Sequence, residues 1–127
     1  MLFRPIILLF DSKKRILLQH RTDDAPTNPG NWSFFGGAME DRETPDVAVR
    51  RECLEELNYS LENPRLIMVH KIEDYETRFV FMDEYDPSKS LELLEGQGMG
   101  WFSIGEALKL GMIKVDKEVI EYIKGKY

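Results

Sequence analysis

The most constraining feature of this 127-residue chain is a group of glutamates that follows a predicted helix start. The hydroxyl of Thr44 can accept a free backbone N–H, and Pro45 loses no hydrogen bond at the first helical position, so a helix is expected to begin near Pro45. At about 100° per residue, Glu52, Glu55 and Glu56 fall within an arc of roughly 100° on this helix. The spacing therefore predicts a short helix with one anionic side.

The rest of the predicted helix is more apolar. Val47, Cys53, Leu54 and Leu57 occupy an arc away from the glutamates, and we expect that arc to be buried. Arg50 falls inside the apolar arc, so its head group must reach solvent or a partner.

The glutamates have an ordinary interpretation and a functional one. Glutamate favours helices and is common in this acidic chain, so three of them often form nothing more than a solvated face. Like charges three and four residues apart repel by roughly 0.2–0.5 kcal/mol per pair, so helix stability alone does not favour the group. Carboxylate oxygens are hard ligands for Mg²⁺ or Mn²⁺. The functional interpretation is a divalent-cation site that faces a phosphate chain.

The segment resembles the signature box of the Nudix hydrolases. Six residues match its spacing Gly-x5-Glu-x7-Arg-Glu-x-x-Glu-Glu: Gly37, Glu43, Arg51, Glu52, Glu55 and Glu56. In a chain of this composition the six coincide by chance with a frequency of roughly 1 in 10^4 or less, which favours the functional interpretation.

Three positions depart from the family pattern. Cys53 stands where an aliphatic residue is usual, Asn58 replaces a glycine, and Tyr59 replaces the closing aliphatic residue. Asparagine tolerates a left-handed backbone, buried cysteine behaves as a small apolar group, and tyrosine can pack its ring. None of the three changes removes a carboxylate.

The resemblance implies the Nudix fold, an α/β/α sandwich with a mixed β-sheet between helices. The order of elements predicted from the residues agrees with it over nearly the whole chain. The predicted elements are a hairpin of Ile6–Phe10 and Arg15–Gln19, a loop over Thr22–Asn31, strands over Leu66–Tyr75 and Arg78–Met82, a polar loop over Asp83–Ser90, a short helix that a Ser103/Glu106 capping box opens and Gly111 closes, and a last helix capped by Asp116.

Length and composition bound the class of protein. With 127 residues, of which 43% are hydrophobic, the chain suits one domain over residues 1–127. Its net charge of -6 argues against binding to a nucleic-acid polymer or an anionic membrane. One cysteine permits no internal disulfide, and the apolar run Pro5–Phe10 is too short for a membrane span or a signal, so we expect a cytoplasmic protein. A monomer and a homodimer both remain open.

Two further stretches resemble the family outside the box. The run Trp32–Gly37 is similar to the one that leads into the box, and there the family supplies a metal ligand through the carbonyl of the residue that matches Gly36. The run Glu95-Gly96-Gln97 is similar to the segment in which MutT-like, nucleoside-triphosphate-cleaving members carry another acidic ligand. Glu95 is thus a candidate metal ligand or accessory base; a solvated loop glutamate is the alternative, and Glu92 is close enough to be confused with it.

Other candidates concern the substrate and the scaffold. Arg21 matches an arginine that touches phosphate in MutT-like members, although a plain surface charge is about as common. Trp32 and Phe34 share one face of a predicted strand and are candidates for stacking on a base, with core filling as the commoner use. Glu43 and Arg51 are expected to form an ion pair that holds the loop to the helix.

The predicted function is Mg²⁺-dependent hydrolysis of a diphosphate bond in a nucleoside diphosphate linked to another group, including nucleoside triphosphates and their oxidised forms. Metals held by Glu52, Glu55, Glu56 and Glu95 would clamp the phosphate, and Glu52 is the first candidate for the general base. The alternative is a nucleotide-sensing or regulatory Nudix domain that binds without cleavage. Diphosphate isomerisation ranks lowest, because it normally comes with a longer chain and a catalytic cysteine. The substrate and the attacked phosphorus stay open.

Overall fold

The computed structural model describes all 127 residues and contains one seven-stranded mixed sheet with three helices. The strands are β1 (Leu2–Phe10), β2 (Ile16–His20), β3 (Trp32–Ser33), β4 (Phe35–Gly36), β5 (Arg65–Ile72), β6 (Glu76–Glu84) and β7 (Gly98–Phe102). The helices are α1 (Pro45–Leu57), α2 (Ile104–Ala107) and α3 (Lys114–Ile123). The bounds confirm the predicted order of elements.

Strand β1 is central in the sheet. The order is β3-β2-β1-β6-β5, with β4 also paired to β1 and β7 to β2. Strands β1 and β6 run parallel over their whole length, and every other pair is antiparallel. The predicted hairpin is present, because Phe10 pairs with Ile16 and Asp11 Oδ1 accepts the backbone N–H groups of Lys13 and Arg15.

Two apolar layers cover the two faces of the sheet. Alternate side chains of β1 enter opposite layers, so that Ile6 and Leu8 pack on the side of α2 and α3 while Ile7 and Leu9 pack on the side of α1. Phe34 belongs to the first layer and Phe35 to the second. The predicted α/β/α sandwich is confirmed.

The burial of α1 corrects the sequence prediction. Val49, Cys53 and Leu57 pack on the sheet, but Val47 and Leu54 are about half exposed, at 52% and 49%. The apolar arc therefore does not coincide with the buried side, and Arg50 lies on the solvent side and donates to the carbonyl of Leu61. The reason is that α1 also turns two of its glutamates inward.

For the two C-terminal helices, the predicted capping box is confirmed and the predicted Asp116 cap is wrong. The capping box at Ser103 is present, with Ser103 and Glu106 exchanging hydrogen bonds of 3.1 and 2.9 Å. Asp116, in contrast, does not cap α3, because the helix begins at Lys114 and Asp116 is buried in its first turn. None of the helices has the length and apolar character that crossing a membrane requires.

Candidate functional site

Local signals at both ends of α1 hold the site helix in place. The hydroxyl of Thr44 accepts the backbone N–H of Val47 at 3.3 Å. Asn58 adopts the left-handed conformation, with φ 49°, and its N–H donates to the carbonyl of Leu54. Asparagine thus supplies the backbone conformation for which the family pattern has glycine.

Arg51 ties the preceding loop to the acidic side of α1. Its guanidinium donates to the two carboxylate oxygens of Glu43 at 2.7 and 2.9 Å, as a forked pair. One of its nitrogens also donates to Glu52 at 2.9 Å and to Glu55 at 3.2 Å. The bond from Arg51 lowers the pKa of Glu43, and the bond to Glu43 raises the pKa of Arg51. The structure thus contains the expected ion pair and shows that Arg51 also orients two box glutamates.

Glu56 is the most deeply buried of the glutamates. Its side chain turns towards β4, where Oε2 accepts the backbone N–H of Gly36 at 3.0 Å, and the residue is 3% exposed. Burial raises the pKa of Glu56 well above that of an ordinary carboxyl group, and the negative charges of Glu95 and Glu52 raise it further. Glu52 and Glu95 are therefore each close enough to Glu56 to disfavour its negative charge.

Glu52 lies against the backbone at the start of the box. A Cβ at Gly37 would lie 2.6 Å from both carboxylate oxygens of Glu52, so only a glycine leaves room for this carboxylate. A Cβ at the neighbouring Gly36 would instead collide with the carbonyl oxygen of Pro5 on β1. The two glycines thus allow two different close approaches, one of a side chain and one of a strand.

Glu95 reaches the site because residues 92–95 run alongside the C-terminal end of α1. The N–H groups of Glu92 and Leu94 donate to the carbonyls of Leu57 and Glu56, both at 2.9 Å. The side chain of Glu92 accepts a hydrogen bond from the side chain of Asn58 at 3.2 Å. The negative charge of Glu95, in contrast, raises the pKa of Glu56. Of the two candidates in this segment, Glu95 is the one beside the box carboxylates.

The donor atoms around Glu56 fit a divalent cation by their chemistry. Glu52, Glu56 and Glu95 offer hard oxygen ligands, and the repulsion of Glu56 by the other two is the kind that a cation relieves. As the side chains are placed, however, no three acidic, histidine or cysteine groups converge on one point that could hold a metal ion. Arg51 holds the carboxylates of Glu52 and Glu55 in this arrangement through hydrogen bonds of 2.9 and 3.2 Å.

A cleft that Gly36 helps to line contains some of the substrate candidates. Its lining includes Arg21, Phe34 and Gly36, together with Arg4 and Arg78. Phe34 is 7% exposed, so most of its ring fills the core next to the cleft. The cleft is thus lined more by charge than by aromatic rings.

Trp32 lies elsewhere and is not among the residues that line this cleft. Its ring is stacked on His20, with centroids 4.6 Å apart and planes at 8°, and meets the ring of Phe102 edge-on. This stacking leaves His20 half-buried. A base could stack on the face of Trp32 that His20 covers only if it displaced His20.

Sequence reasoning missed the polar residues buried around the cleft. Arg78 bonds to Glu76 at 2.7 Å and to Asp116, and all three are less than 9% exposed. Gln19 is 2% exposed and donates to the carbonyl of Phe34 at 3.0 Å. The available signal was a polar residue directly beside an apolar run, as in the run ILLQ of β2 and the run RFVFM of β6.

Comparison with known proteins agrees with the fold and the box. The NUDIX domain family matches residues 4–123. A MutT structure from work on Aliivibrio salmonicida and Vibrio cholerae superposes with a TM-score of 0.85 at 20% identity, over 99% of this chain and 98% of that one. MutT from Methanosarcina mazei superposes with a TM-score of 0.80 at 20% identity, over 98% and 94%. The chain belongs to the Nudix family, with the fold of its MutT-like members.

Two other relatives carry names that mention ligands. The CMP-5'-(N-acetyl-N-hydroxy-3-aminopropyl)phosphonate hydrolase of Streptomyces rubellomurinus is 30% identical over 110 residues, which make up 83% of this chain and 53% of that protein. The chain thus spans about half the length of this curated relative. The NUDIX domain of Shewanella oneidensis NrtR, whose structure is a complex with ADP ribose, superposes with a TM-score of 0.78 at 14% identity over 99% and 88%.

Proposed function

We propose that this protein is a pyrophosphohydrolase that uses Mg²⁺, or Mn²⁺ in its place, to hydrolyse a diphosphate bond in a nucleoside diphosphate linked to another group. The observation that carries the proposal is the set of carboxylates at the junction of α1, β4 and the 92–95 segment. Glu56 is buried there against the N–H of Gly36 and within the electrostatic range of Glu52 and Glu95. Such a set is costly without a cation and is suited to holding one beside a phosphate.

Each residue of the site has a distinct part in this proposal. Glu52, Glu55, Glu56 and Glu95 would hold the metal, with the carbonyl of Gly36 as a further ligand. When bound, Mg²⁺ would neutralise phosphate oxygens and lower the pKa of an attacking water. Among the protein groups, Glu52 would take the proton of that water as its oxygen attacks phosphorus and the bridging P–O bond breaks.

The substrate class is proposed from the site and from the names of the relatives. Half-buried Arg21 is suited to bind a phosphate, because a guanidinium can donate to two phosphate oxygens at once. One relative is named for a CMP derivative, and another was crystallised with ADP ribose. Both ligands contain a nucleoside 5'-phosphate, which supports a nucleotide derivative as the substrate of this chain.

The test compares isosteric variants of the site with a nearby control. Glu52→Gln and Glu56→Gln should each lower turnover of a nucleotide panel with Mg²⁺ by about 10²-fold or more. Glu92→Gln changes an exposed carboxylate of the same segment and should keep turnover near the wild-type rate. Products identified by mass would show which phosphorus is attacked.

Two outcomes of this test would end the proposal. One is the absence of any phosphate, pyrophosphate or nucleoside monophosphate release from the whole panel by the folded protein with millimolar Mg²⁺. The other is unchanged turnover in both Glu52→Gln and Glu56→Gln.

A second candidate function is nucleotide binding without cleavage. The observation in its favour is that Arg51 holds Glu52 and Glu55 at 2.9 and 3.2 Å, so these two carboxylates are engaged by the protein itself. Calorimetry with ADP-ribose would support this candidate if it gave saturable binding with no product after prolonged incubation with Mg²⁺.

A further inference from the structure

Three basic side chains stand in register on neighbouring strands of the sheet. Arg4 on β1 is the partner of Arg78 on β6, and Arg78 is the partner of His70 on β5. Arg78 contacts Asp116 and His70 contacts Glu118, and both acidic residues belong to α3. This row of three side chains therefore lies on the face of the sheet that α3 covers. Arg4 and Arg78 are both cations, and like charges placed directly opposite one another in a sheet are destabilising unless anions compensate them.

The protein supplies such anions to only part of the row. Arg78 is paired with both Glu76 and Asp116, and His70 lies 3.3 Å from Glu118. Arg4 has no carboxylate within 4.0 Å, although it is half-buried. The one acidic group that lines the cleft with Arg4 is Asp116, which is already engaged by Arg78.

A second arginine without an acidic partner lies across the same cleft. Arg21 donates to the carbonyl and hydroxyl oxygens of Thr27, at 2.8 and 3.2 Å, and these bonds hold it in place without neutralising it. Ser33 also lines the cleft, and its buried hydroxyl has no hydrogen-bond partner. In a chain with a net charge of -6, the lining of this cleft has three arginines and one aspartate.

We propose that this cleft binds a phosphoryl group of the substrate other than the two joined by the cleaved bond, and that Arg4 and Arg21 bind it together with the hydroxyl of Ser33. Guanidinium groups donate to two phosphate oxygens at once in a forked arrangement, and Arg4 has no carboxylate that would compete for this position. Gly36 lines the cleft and also donates its N–H to Glu56, so the cleft adjoins the carboxylate site. This inference rests on the proposed function in one respect, because it takes the bound phosphoryl group to be part of the substrate.

The first experiment needs no metal and no turnover. Inorganic phosphate is titrated into the full-length protein with EDTA, at constant ionic strength, while the arginine Nε–H signals are followed by NMR. The signals of Arg4 and Arg21 should shift together and saturate, and Arg4→Gln should weaken the binding about tenfold or more. Arg15 is the matched control, because Asp11 already engages it at 2.7 Å, and Arg15→Gln should leave the affinity unchanged.

Several outcomes of the titration would overturn the proposal. One is an unmoved Arg4 signal, and another is a shift of Arg15 of the same size and concentration dependence as that of Arg4. If Arg4→Gln fails to fold, Arg4→Lys tests the same point, because it keeps the charge and loses the fork; unchanged affinity in Arg4→Lys would then exclude forked binding.

The second experiment separates this inference from the proposed function. ADP-ribose and its 2'-phosphate form a pair of test substrates that differ by one phosphoryl group. Arg4→Gln should raise KM about tenfold for the phosphorylated member with kcat retained, and it should leave the other member unchanged. Equal effects on both would refute a phosphoryl site. Phosphate binding at Arg4 without hydrolysis of any nucleotide would refute the proposed function and leave the phosphoryl site standing.

Discussion

Replacing Gly37 by alanine should reduce catalysis strongly while leaving the fold intact. The added Cβ would lie 2.6 Å from both carboxylate oxygens of Glu52, about 0.8 Å short of the 3.4 Å at which ordinary contact begins. The backbone of Gly37 is outside the positive-φ region, so alanine causes no backbone strain there. The carboxylate of Glu52, at the far end of a flexible side chain, is therefore the group that moves.

The size of the effect follows from that displacement. A misplacement of about 1 Å in a catalytic constellation costs on the order of 10²-fold in rate, or about 2.7 kcal/mol of activation free energy. The free energy of unfolding should change by no more than about 1 kcal/mol, since alanine also reduces the freedom of the unfolded chain. At roughly 4 °C per kcal/mol, Tm should stay within a few degrees of the wild type.

Gly36→Ala is the matched control at the adjacent position. There the Cβ meets the backbone carbonyl of Pro5, and the glycine has φ 146°, a conformation that residues with a side chain rarely adopt. This variant should lose about 3 kcal/mol or more of stability. The assay pairs kcat on the best substrate of the panel with thermal unfolding by circular dichroism. Unchanged kcat in Gly37→Ala, or an equal loss of stability in both variants, would show that Glu52 is not placed as described.

The remaining predictions concern stability, pH and reactivity. Asp83→Asn should lower the free energy of unfolding by about 2 kcal/mol in urea titrations. The reason is that Asp83 Oδ2 accepts two backbone N–H groups from residues 62–63, and an amide nitrogen in its place cannot accept them. Equal urea midpoints for the two proteins would contradict this. The pKa of Glu43 is lowered by Arg51, so its stabilisation is present above the ordinary carboxyl pKa and is lost as the pH falls through the lowered value. The Tm difference between the wild type and Glu43→Gln should therefore be largest near neutral pH and vanish in acid, and a constant difference would refute the assignment. Burial raises the pKa of Cys53 to about 12, so at pH 8 an aromatic disulfide reagent should modify this thiol only at the rate of unfolding; rapid labelling of the native protein would exclude the buried placement.

Local features of the structure could be predicted from the residues that form them. Thr44 and Pro45 start α1, Asn58 ends it in the left-handed conformation, and Ser103 opens α2 with a capping box. The interactions that decide these features join residues at most four positions apart, so the sequence contains them directly. The pairing of Glu43 with Arg51, two residues of the family box eight positions apart, was also predicted and is present.

Features that depend on distant partners were predicted wrongly or not at all. Asp116 satisfies the composition rule for a helix cap, but it is drawn into the first turn of α3 by Arg78, 38 residues away. The apolar residues Val47 and Leu54 were expected inside, yet they are exposed while Glu56 is buried. A helical wheel compares side chains within one helix and contains no information about what the helix packs against.

The sequence by itself determined the order of the elements, both ends of α1, the start of α2, which residues bear the carboxylates, and the family to which the chain belongs; it did not determine the start of α3 or the end of α2, which lies at Ala107 and not at Gly111. Only the tertiary structure decided which carboxylates lie together, because the 92–95 segment joins the end of α1 through backbone bonds that no local pattern indicates. The unpaired state of Arg4 was likewise decided by the register of β1 against β6, more than 70 residues apart. The physical reason is that hydrogen bonds within a turn or helix depend on near neighbours, whereas burial and charge compensation depend on whatever the whole chain brings together.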